Sequence, residues 1–389
     1  MTNDNNQPWY VALTDLAEES MGTKILFATD EWFAAAENVI KSAEPIFITD
    51  KFTTYGKWMD GWESRRKRTA GHDWAIIELG LAGNLFGVKI DTRFFTGNQS
   101  PRFSLQAAEL DDEKALDALL VSRQGTGIGT CAGDSQWEAV KALKSDSWTE
   151  LIPMTPLKPG YEGMSVHYFE IDPKFRKQRF THVRLNMFPD GGIARMRLFG
   201  LVKANIQDTK QIVDLAAVEN GGVPVAHSDA HYGKCANLIA LGRAPTMADG
   251  WETARTANRP AILKADASGM IEFGDMNDWA ILKLATRGVI HEIEIDTNHF
   301  KGNFPESCII EGALMENNDM DYKSETAFFH SKENQAKLKW KTVLPRTKLS
   351  AHVQARFPLK VPVGPVTHIR LTIFPDGGVS RLRLFGLPA

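Results

Sequence analysis

The segment Thr181-His182-Val183-Arg184-Leu185 and the Phe188-Pro189-Asp190-Gly191-Gly192 that follows it decide the fold, because the chain contains both of them twice. They return as Thr367-His368-Ile369-Arg370-Leu371 and Phe374-Pro375-Asp376-Gly377-Gly378. About fourteen of the twenty positions in 181–200 agree with those in 367–386, which is far beyond chance agreement within one chain. The sequence therefore predicts an internal duplication.

Other blocks repeat in the same order. Asp60-Gly61-Trp62-Glu63 returns as Asp249-Gly250-Trp251-Glu252, and Asp73-Trp74-Ala75-Ile76 returns as Asp278-Trp279-Ala280-Ile281. Because the order is kept, we expect two homologous domains, at 1–202 and 211–389, joined by a linker at 203–210. The spacing of the blocks predicts about sixteen additional residues after Arg255 in the second copy, a length that a surface loop absorbs.

The composition fits a protein with two ordinary hydrophobic cores. The chain has 389 residues, 43% of them hydrophobic, and a formal net charge of -3. This charge gives no bulk attraction for nucleic acid or for an anionic membrane, so neither partner is expected. No apolar run is long enough to span a bilayer and the start lacks a signal peptide, so we expect a cytoplasmic protein. Cys131, Cys235 and Cys308 are expected to be free, mostly buried thiols.

Alternating apolar and polar residues predict a mainly β fold. Residues 183–188 and 193–198 alternate around a Pro-Asp-Gly-Gly turn, which predicts a β-hairpin in each copy. Residues 74–80 and 88–91 predict two further strands separated by Gly83 and Gly87, as do 279–284 and 290–296 in the second copy. Short strands with glycine and proline between them are typical of a sandwich or jelly roll. Helical periodicity is limited to 111–120 and 135–143, so few and short helices are expected.

These blocks also carry a family resemblance. Residues 59–66, His72-Asp73-Trp74, 91–98 and the doubled Phe-Pro-Asp-Gly-Gly segments resemble the allantoicase family, and the resemblance runs from about Leu13 to Leu387. It implies two tandem homologous jelly-roll β-sandwich domains, related to galactose-binding and discoidin-like modules. It also implies a homo-oligomeric hydrolase that converts allantoate to ureidoglycolate and urea in purine breakdown.

Allantoate makes definite demands on a pocket. It is a small anion with two ureido arms on one carbon, so its site needs a cation, partners for the ureido N–H groups and an acid–base group. Arginine suits the first task because its planar guanidinium meets a carboxylate with two hydrogen bonds. Glu, Asp or His can carry the proton that urea takes as it leaves. The sequence leaves open whether water attacks directly or urea leaves first through an imine.

The first candidate site is the Asp60-Gly61-Trp62-Glu63 block with the arginines that follow it. Glu63 is the acid–base candidate, and Arg65 and Arg66 are candidates for holding the substrate carboxylate. Asp60 and Trp62 are expected to line the pocket. Trp62 has an alternative role, because large aromatic side chains usually plug a core.

The same block supplies candidates in the second copy. Glu63 and Arg65 are interpreted as returning in Glu252 and Arg255, and Asp60 returns as Asp249. Glu252 is therefore a second acid–base candidate, and Asp249 and Arg255 are substrate-binding candidates.

The second candidate site is His72 with Asp73. Imidazole titrates near neutrality and a neighbouring carboxylate selects its tautomer, so His72 could carry the proton with Asp73 orienting it. Asn277 replaces His72 in the second copy, which fits one chemically competent copy and one supporting copy. The alternative, in which Asp73 caps the entry to a strand, is equally open.

The third candidate site is the loop that begins at Asp91. Asp91, Thr92 and Asn98 can meet ureido nitrogen atoms, and Asn303 is the counterpart of Asn98. His299 stands where the first copy has Phe94, and a lone histidine here is more often a packed residue than a catalyst. His167 and His352 are weaker candidates.

Two other groups of residues bear on the site. The repeated arginines of the predicted hairpins could bind a carboxylate, but a structural role in ion pairs with acids is favoured; they are Arg184, Arg195, Arg197, Arg370, Arg381 and Arg383. No His-x-x-x-His, His-Glu-x-x-His or clustered carboxylate pattern occurs. No cofactor is therefore certain, and a divalent metal cannot be inferred from spacing.

Two further classes of function stay open. Discoidin-like jelly rolls often bind sugars or lipids, so a non-catalytic tandem binding module of carbohydrate type is the first alternative. The second is a scaffold whose duplicated segments serve assembly. Urea release from allantoate by the purified protein, with and without a chelator, separates the hydrolase from both.

Overall fold

The computed structural model describes residues 7–206, 210–259, 262–316 and 320–389. The chain divides into two units, Met1–Lys203 and Ala204–Ala389. The predicted linker at 203–210 includes residues 207–209, which lie outside the described residues, so its extent stays a prediction. No helix in the described ranges is long and apolar enough to cross a membrane.

The described part of the first unit contains twelve strands, two α-helices and short 3-10 turns. The strands are β1 Thr14–Asp15, β2 Lys24–Ala28, β3 Phe52–Thr53, β4 Gly56–Lys57, β5 Trp62–Glu63, β6 Asp73–Asp91, β7 Arg102–Ala108, β8 Thr149–Pro156, β9 Val166–Glu170, β10 Phe180–Phe188, β11 Gly192–Ile193 and β12 Arg195–Val202. The helices are α1 Glu113–Ser122 and α2 Asp134–Lys141. The 3-10 turns are Trp9–Ala12, Glu19–Met21, Ala36–Ile40, Ser145–Ser147 and Pro173–Phe175.

The second unit repeats this order with fewer separate strands. Its strands are β13 Val213–Asp214, β14 Val223–His227, β15 Trp251–Glu252, β16 Asp278–Asp296, β17 Ser307–Ala313, β18 Lys341–Lys348, β19 Gln354–Phe374, β20 Gly378–Val379 and β21 Arg381–Pro388. Its helices are α3 Tyr322–His330 and α4 Lys332–Ala336. The 3-10 turns are Val218–Asn220, Cys235–Ile239 and Met247–Asp249.

One long strand organises the first unit. The first half of β6 pairs with β2 and β10, and its second half pairs with β9 and β12. β10 continues outward to β7 and β8, while β12 continues to β1. All of these pairs are antiparallel. This is the jelly-roll sandwich, in which β6 contributes to both sets of strands, and the mainly β prediction is confirmed.

The second unit is built around β16 in the same way. Here β19 follows β16 along its whole length, from Ile373 opposite Asp278 to Gln354 opposite Asp296. The single strand β19 therefore pairs with both halves of the central strand, whereas in the first unit β10 pairs with one half and β9 with the other. β14 and β21 complete the pairing of β16, and the order β13-β21-β16-β19-β17-β18 matches the first unit.

The helices cover one outer face of each sheet. In the first unit, Leu119 of α1 and Val140 of α2 pack against Phe27 of β2 and Ile76 of β6. In the second, Phe329 of α3 packs on Val225, Ala226 and Ile281. The two predicted helical segments of the first unit are thus confirmed as α1 and α2. The three cysteines are free, and Cys235 and Cys308 are buried whereas Cys131 is exposed.

The predicted β-hairpins are wrong. β10 pairs with β6 and β7, whereas β12 pairs with β6 and β1, so the two strands do not pair with each other. Both run antiparallel to β6 and therefore parallel to one another, and parallel strands cannot be joined by a hairpin. The Phe-Pro-Asp-Gly-Gly segment instead crosses between two neighbours of β6. The same holds for β19 and β21, which both pair with β16.

The prediction of two strands within 74–91 is also wrong, because β6 is continuous from Asp73 to Asp91. Gly83 and Gly87 do not interrupt the strand. A Cβ at Gly83 would lie 2.2 Å from the carbonyl oxygen of Leu201, and one at Gly87 would lie 2.1 Å from the ring of Tyr10. The glycines therefore make room for close packing. β16 is continuous across 279–296 in the same way.

Gly192 and Gly378 hold the loops of the two units against aromatic rings. A Cβ at Gly192 would lie 2.1 Å from the ring of Phe95, and one at Gly378 would lie 1.9 Å from the ring of Phe300. Both rings are fully buried and cannot move aside. These contacts fix the segments that pair with Trp62–Glu63 and Trp251–Glu252.

We expect Gly192→Ala and Gly378→Ala each to lower the free energy of unfolding by about 1–3 kcal/mol, because the added methyl group overpacks the contact. Gly97→Ala and Gly302→Ala are the matched controls, since nothing lies within 4 Å of a Cβ at either position. Guanidinium chloride denaturation measures the four variants. Equal losses in test and control variants would contradict the packing argument.

Candidate active site

Each unit places a glutamate beside a buried tryptophan. Trp62 is fully buried, and its Nε1 donates a hydrogen bond to the carbonyl oxygen of Asp30 at 2.9 Å. Glu63 follows it in β5, which pairs with Gly192–Ile193. Because successive side chains of a strand point to opposite sides, a tryptophan directed into the core directs the glutamate away from it. Glu63 accordingly lines a cavity.

The Glu63 cavity has a volume of about 330 Å³. Asn98 Nδ2 donates to Glu63 Oε1 at 2.6 Å, so two residues that the sequence proposed for separate sites meet here. Burial raises the pKa of Glu63 to about 6, although the Asn98 hydrogen bond and the charge of Arg66 act in the opposite direction. The rest of the wall consists of Phe33, Phe47, Gly56, Lys57, Met59, Phe94 and Thr96.

The second unit repeats the arrangement around Glu252. Trp251 is fully buried and its Nε1 donates to the carbonyl oxygen of Asp229 at 2.9 Å. Asn303 Nδ2 donates to Glu252 Oε1. The Glu252 cavity is larger, about 530 Å³, and its charged wall residues are Glu252, Arg255, Arg259, Glu306, Lys348 and Asp376. The duplication has thus kept a glutamate–asparagine pair at a cavity in both units.

Three basic residues that follow Glu63, namely Arg65, Arg66 and Lys67, are engaged in ion pairs. Arg65 Nε lies 2.7 Å from Asp30 Oδ2, and its guanidinium also covers the ring of Trp32. Arg66 Nη1 lies 2.9 Å from Asp190 Oδ1, and Lys67 Nζ lies 2.7 Å from Asp73 Oδ1. Arg66 also donates to the carbonyl oxygen of Gly97 at 3.0 Å. These contacts engage the cations with the first unit's own acids.

Backbone hydrogen bonds show which residues correspond in the loops that follow Glu63 and Glu252. Arg65 N donates to Asp30 Oδ1 at 3.0 Å, and Ala254 N donates to the equivalent Asp229 at 2.6 Å. Ala254 is therefore the counterpart of Arg65, and Arg255 is the counterpart of Arg66. The correspondence of Arg65 with Arg255 inferred from the sequence is wrong by one residue, because the two arginines of the first loop are adjacent.

The second unit keeps the three aspartates and loses most of their cations. Ala254 and Thr256 stand where Arg65 and Lys67 stand in the first unit, and Thr256 N donates to Asp376 Oδ2 at 2.8 Å as Lys67 N does to Asp190. Asp229 and Asp376 lie close enough to Asp278 to add to its burial in raising its pKa. Within the described ranges, Arg255 makes no ion pair or hydrogen bond through its side chain.

Different insertions complete the two cavities. The second copy's extra residues after Arg255 supply Arg259, Ile271 and Phe273 to the Glu252 cavity. In the first unit, a loop before Asp60 supplies Phe47 and Lys57. Asn38 donates a hydrogen bond to the carbonyl oxygen of Gly61, 23 residues later, and Asn237 donates the equivalent bond to that of Gly250, only 13 residues later. The loop of the first unit is therefore ten residues longer. Sequence reasoning located the second insertion but named none of its residues as site residues.

Several predicted site residues are not at a cavity. Trp62 is fully buried, so it supports the core as the alternative interpretation held. Asp60 accepts hydrogen bonds from Arg195 at 2.8 Å and from Ile46 N at 3.0 Å, which together outweigh burial and lower its pKa. Its counterpart Asp249 caps a 3-10 turn by accepting from Thr246.

The residues that begin the third block are also directed inward. Asp91 is fully buried and accepts from Arg93 N at 2.8 Å, and burial raises its pKa. Thr92 is fully buried and donates to the carbonyl oxygen of Lys158 at 2.9 Å. Asn98 of this loop reaches Glu63, as Asn303 reaches Glu252 in the second unit.

The structure does not pair His72 with Asp73. His72 Nε2 lies 3.0 Å from Asn186 Oδ1, and its ring packs on Phe188 at 4.3 Å. Burial lowers the pKa of His72. Asp73 is fully buried and accepts instead from Thr29 Oγ1 at 2.6 Å. Neither residue lines the Glu63 cavity.

The remaining histidines and arginines stabilise loops. His299 lies 2.9 Å from the carbonyl oxygen of Ala244, and His352 Nδ1 accepts from His299 N at 2.8 Å. His167 Nε2 accepts from Lys158 N at 2.9 Å. The structural interpretation of the repeated arginines is confirmed, since their side chains bond to acids and to loop carbonyl groups; the bonds are those of Arg184, Arg195, Arg197, Arg370, Arg381 and Arg383.

Across the part of the chain that is described, no three histidine, cysteine, aspartate or glutamate side chains are grouped so as to hold a metal ion. The charged wall residues of the Glu252 cavity make separate contacts: Glu306 Oε1 accepts from Ile271 N at 3.2 Å, and Lys348 Nζ donates to Gly269 O at 3.2 Å.

Known proteins resemble the chain over nearly its whole length. Residues 14–203 and 213–389 match the allantoicase repeat. The chain is 41% identical over 378 residues to a probable allantoicase of Pseudomonas aeruginosa (strain UCBPP-PA14), covering 96% of each. It is 40% identical to a probable allantoicase of Pseudomonas syringae pv. tomato, covering 96% of this chain and 95% of the relative. The crystal structure of allantoicase from Saccharomyces cerevisiae aligns with a TM-score of 0.65 at 32% identity, covering 96% of this chain and 92% of that one.

The exchange of Lys67 for threonine between the units predicts opposite effects on stability. Lys67→Thr leaves the fully buried Asp73 without its cation, so we expect it to lower the free energy of unfolding by about 3 kcal/mol. Thr256→Lys offers a cation to the half-buried Asp278, and we expect a gain of at most about 1 kcal/mol. Guanidinium chloride denaturation at neutral pH measures both. An unchanged free energy of unfolding in Lys67→Thr would show that Lys67 does not offset the cost of burying the Asp73 carboxylate.

Proposed function

This chain belongs to the allantoicase family of hydrolases, and we propose that the Glu252 cavity is where it binds allantoate and hydrolyses it to ureidoglycolate and urea. The proposal assigns the substrate carboxylate to Arg255, the ureido N–H groups to the acidic wall residues, and proton transfer to Glu252. We also propose, from the sequence, a cytoplasmic homo-oligomer.

The observation that carries this assignment is the guanidinium of Arg255 beside the Glu252–Asn303 pair. Arg66, its counterpart, lies 2.9 Å from Asp190, whereas Arg255 makes no such ion pair in the described ranges. A guanidinium that is not already paired can meet a carboxylate with two parallel hydrogen bonds. Arg259, on the same wall, adds a second positive charge.

The acidic residues of the Glu252 cavity suit the rest of the substrate. Ureido groups are mainly hydrogen-bond donors through nitrogen, and Glu252 and Asp376 offer carboxylate oxygen atoms on the wall. The cavity volume of about 530 Å³ lies within the usual range for small-molecule sites. A wall with both signs of charge therefore fits an anion that also carries many N–H groups.

Glu252 is positioned to move a proton during the cleavage. Asn303 holds one carboxylate oxygen, which fixes the group and leaves the other oxygen directed to the cavity. Hydrolysis breaks the bond between the central carbon and one ureido nitrogen; the nitrogen gains a proton and the carbon gains a hydroxyl from water. A carboxyl group at hydrogen-bonding distance can deliver the first proton or accept the one that water loses.

We expect Arg255→Ala to raise the KM for allantoate about 30-fold, which corresponds to the loss of about 2 kcal/mol from a charge-assisted hydrogen-bonded pair. Arg255→Lys should recover only part of this loss, because an ammonium group cannot make the two-pronged contact. Arg66→Ala is the matched control from the other unit and should change KM much less. Urea release from allantoate is the measurement, and an unchanged KM in Arg255→Ala would remove the carboxylate assignment.

We expect Glu252→Gln to lower kcat by roughly a hundred- to ten-thousand-fold, the usual contribution of a positioned acid–base group. Glu333→Gln, at an exposed side chain of α4, is the control for a charge change alone. The same assay with and without a chelator tests for a metal requirement. If Glu63→Gln abolished turnover while Glu252→Gln remained active, the chemistry would belong to the first unit.

A further inference from the structure

The Glu63 cavity differs in chemistry from the Glu252 cavity, although both come from one duplicated frame. Its charged wall residues are Glu63 and Lys57, and Glu63 is only 8% exposed. Asn98 Nδ2 holds Glu63 Oε1 at 2.6 Å, and in the described ranges no other hydrogen bond to this carboxyl group occurs. The cavity therefore presents carboxylate lone pairs in a fixed position, ready to accept hydrogen bonds.

The cations near this cavity are already engaged. Lys57 Nζ donates to the carbonyl oxygen atoms of Ile48 at 3.1 Å and of Thr49, within its own loop. Arg66 donates to Asp190 at 2.9 Å and to the carbonyl oxygen of Gly97 at 3.0 Å. A ligand carboxylate entering here would face the carboxylate of Glu63 without a free guanidinium to offset the repulsion. The Glu63 cavity, whose wall cation Lys57 is tied to carbonyl groups, is thus less suited to an anion than the Glu252 cavity with its two arginines.

Aromatic rings form much of the remaining wall. Phe47 stacks on Phe94 with 5.6 Å between ring centroids, and Phe33 lies on the same cavity. Phe47 belongs to the loop that is ten residues longer in the first unit, and the corresponding loop of the second unit, residues 238–249, contains no aromatic residue. Flat apolar walls beside a fixed hydrogen-bond acceptor favour a small planar ligand that donates N–H groups.

We propose that the Glu63 cavity is a second ligand site, which binds an uncharged ureido group such as that of urea or a monosubstituted urea. Two N–H groups on the same side of a ureido group can donate to the two oxygen atoms of Glu63, as a guanidinium group does to a carboxylate. Urea is also a product of the hydrolysis, so this ligand forms wherever the enzyme works. The assignment concerns the first unit alone and does not depend on the role given to Arg255 or Glu252.

Ligand-observed saturation-transfer NMR with N-methylurea tests the proposal. The measurement uses the full-length Glu252→Gln variant, so that the carboxylate of Glu252 cannot account for binding; Glu306 and Asp376 of the same cavity are unchanged in both variants and therefore contribute equally to each. We expect N-methylurea to bind this variant and to bind the Glu63→Gln/Glu252→Gln double variant at least tenfold more weakly. The glutamine carbonyl can still accept from Asn98, but its NH₂ group then meets the ligand's N–H groups donor to donor.

Two comparisons sharpen the test. N-carbamoylglycine carries the same ureido group with an added carboxylate, and we expect it to bind Glu252→Gln at least tenfold more weakly at the Glu63 cavity than N-methylurea does. Burial places the pKa of Glu63 at about 6, so the carboxylate forms as the pH rises from 5 to 7. N-methylurea affinity should therefore increase with pH by roughly fivefold, because bonds to a charged acceptor are stronger.

Equal binding of N-methylurea by the single and double variants, both shown to be folded by circular dichroism, would overturn the second site. Preference for N-carbamoylglycine over N-methylurea at the Glu63 cavity would overturn its restriction to uncharged ligands. Full activity of Glu252→Gln would instead remove the proposed catalytic role of the other cavity and leave the NMR result standing. The two proposals can therefore fail separately.

Discussion

A buried indole hydrogen bond positions the candidate site in each unit. Trp62 and Trp251 are fully buried, and each donates its ring N–H to the carbonyl oxygen of an aspartate at 2.9 Å. The bond satisfies the one polar atom of the tryptophan, so the ring can fill the core without a desolvation cost. It also fixes the direction of the next side chain. The glutamate that follows must point away from the core, to the place where an asparagine from a distant loop meets it.

The two units share this tryptophan–glutamate arrangement and differ chiefly in whether the nearby aspartates form ion pairs. In the first unit Arg65, Arg66 and Lys67 pair with three aspartates, among them the fully buried Asp73. A buried carboxylate is costly unless a cation compensates it, so these basic residues serve the fold. In the second unit the aspartates are less buried, the cations are largely gone, and Arg255 is released from that structural task. If Arg255 binds the substrate carboxylate as proposed, the duplication separated stability from ligand binding within one motif.

The sequence predicted the frame better than it predicted the contacts. Repeated sequence blocks indicate a repeated backbone structure. They therefore located both units and identified Glu63 and Glu252 as candidate site residues. The pairing of Glu63 with Asn98 links residues 35 positions apart, and only the folded loops bring them together. The predicted hairpin at 183–198 was wrong because local alternation does not reveal that β6 lies between the partners. Arg65 was matched to the wrong residue because adjacent arginines look alike until their backbone hydrogen bonds are known.

The unequal loops have a consequence for how such a protein can change. The segment before Asp60 and the segment after Arg255 each border a cavity without taking part in the strands that carry the glutamates. Surface loops tolerate changes of length because closing a longer loop costs little additional entropy. Each copy can therefore acquire a new ligand preference by changing the loop beside its cavity, while its glutamate and its asparagine stay in place. One gene fusion would thus have supplied a pair of independently adjustable cavities on a single inherited scaffold.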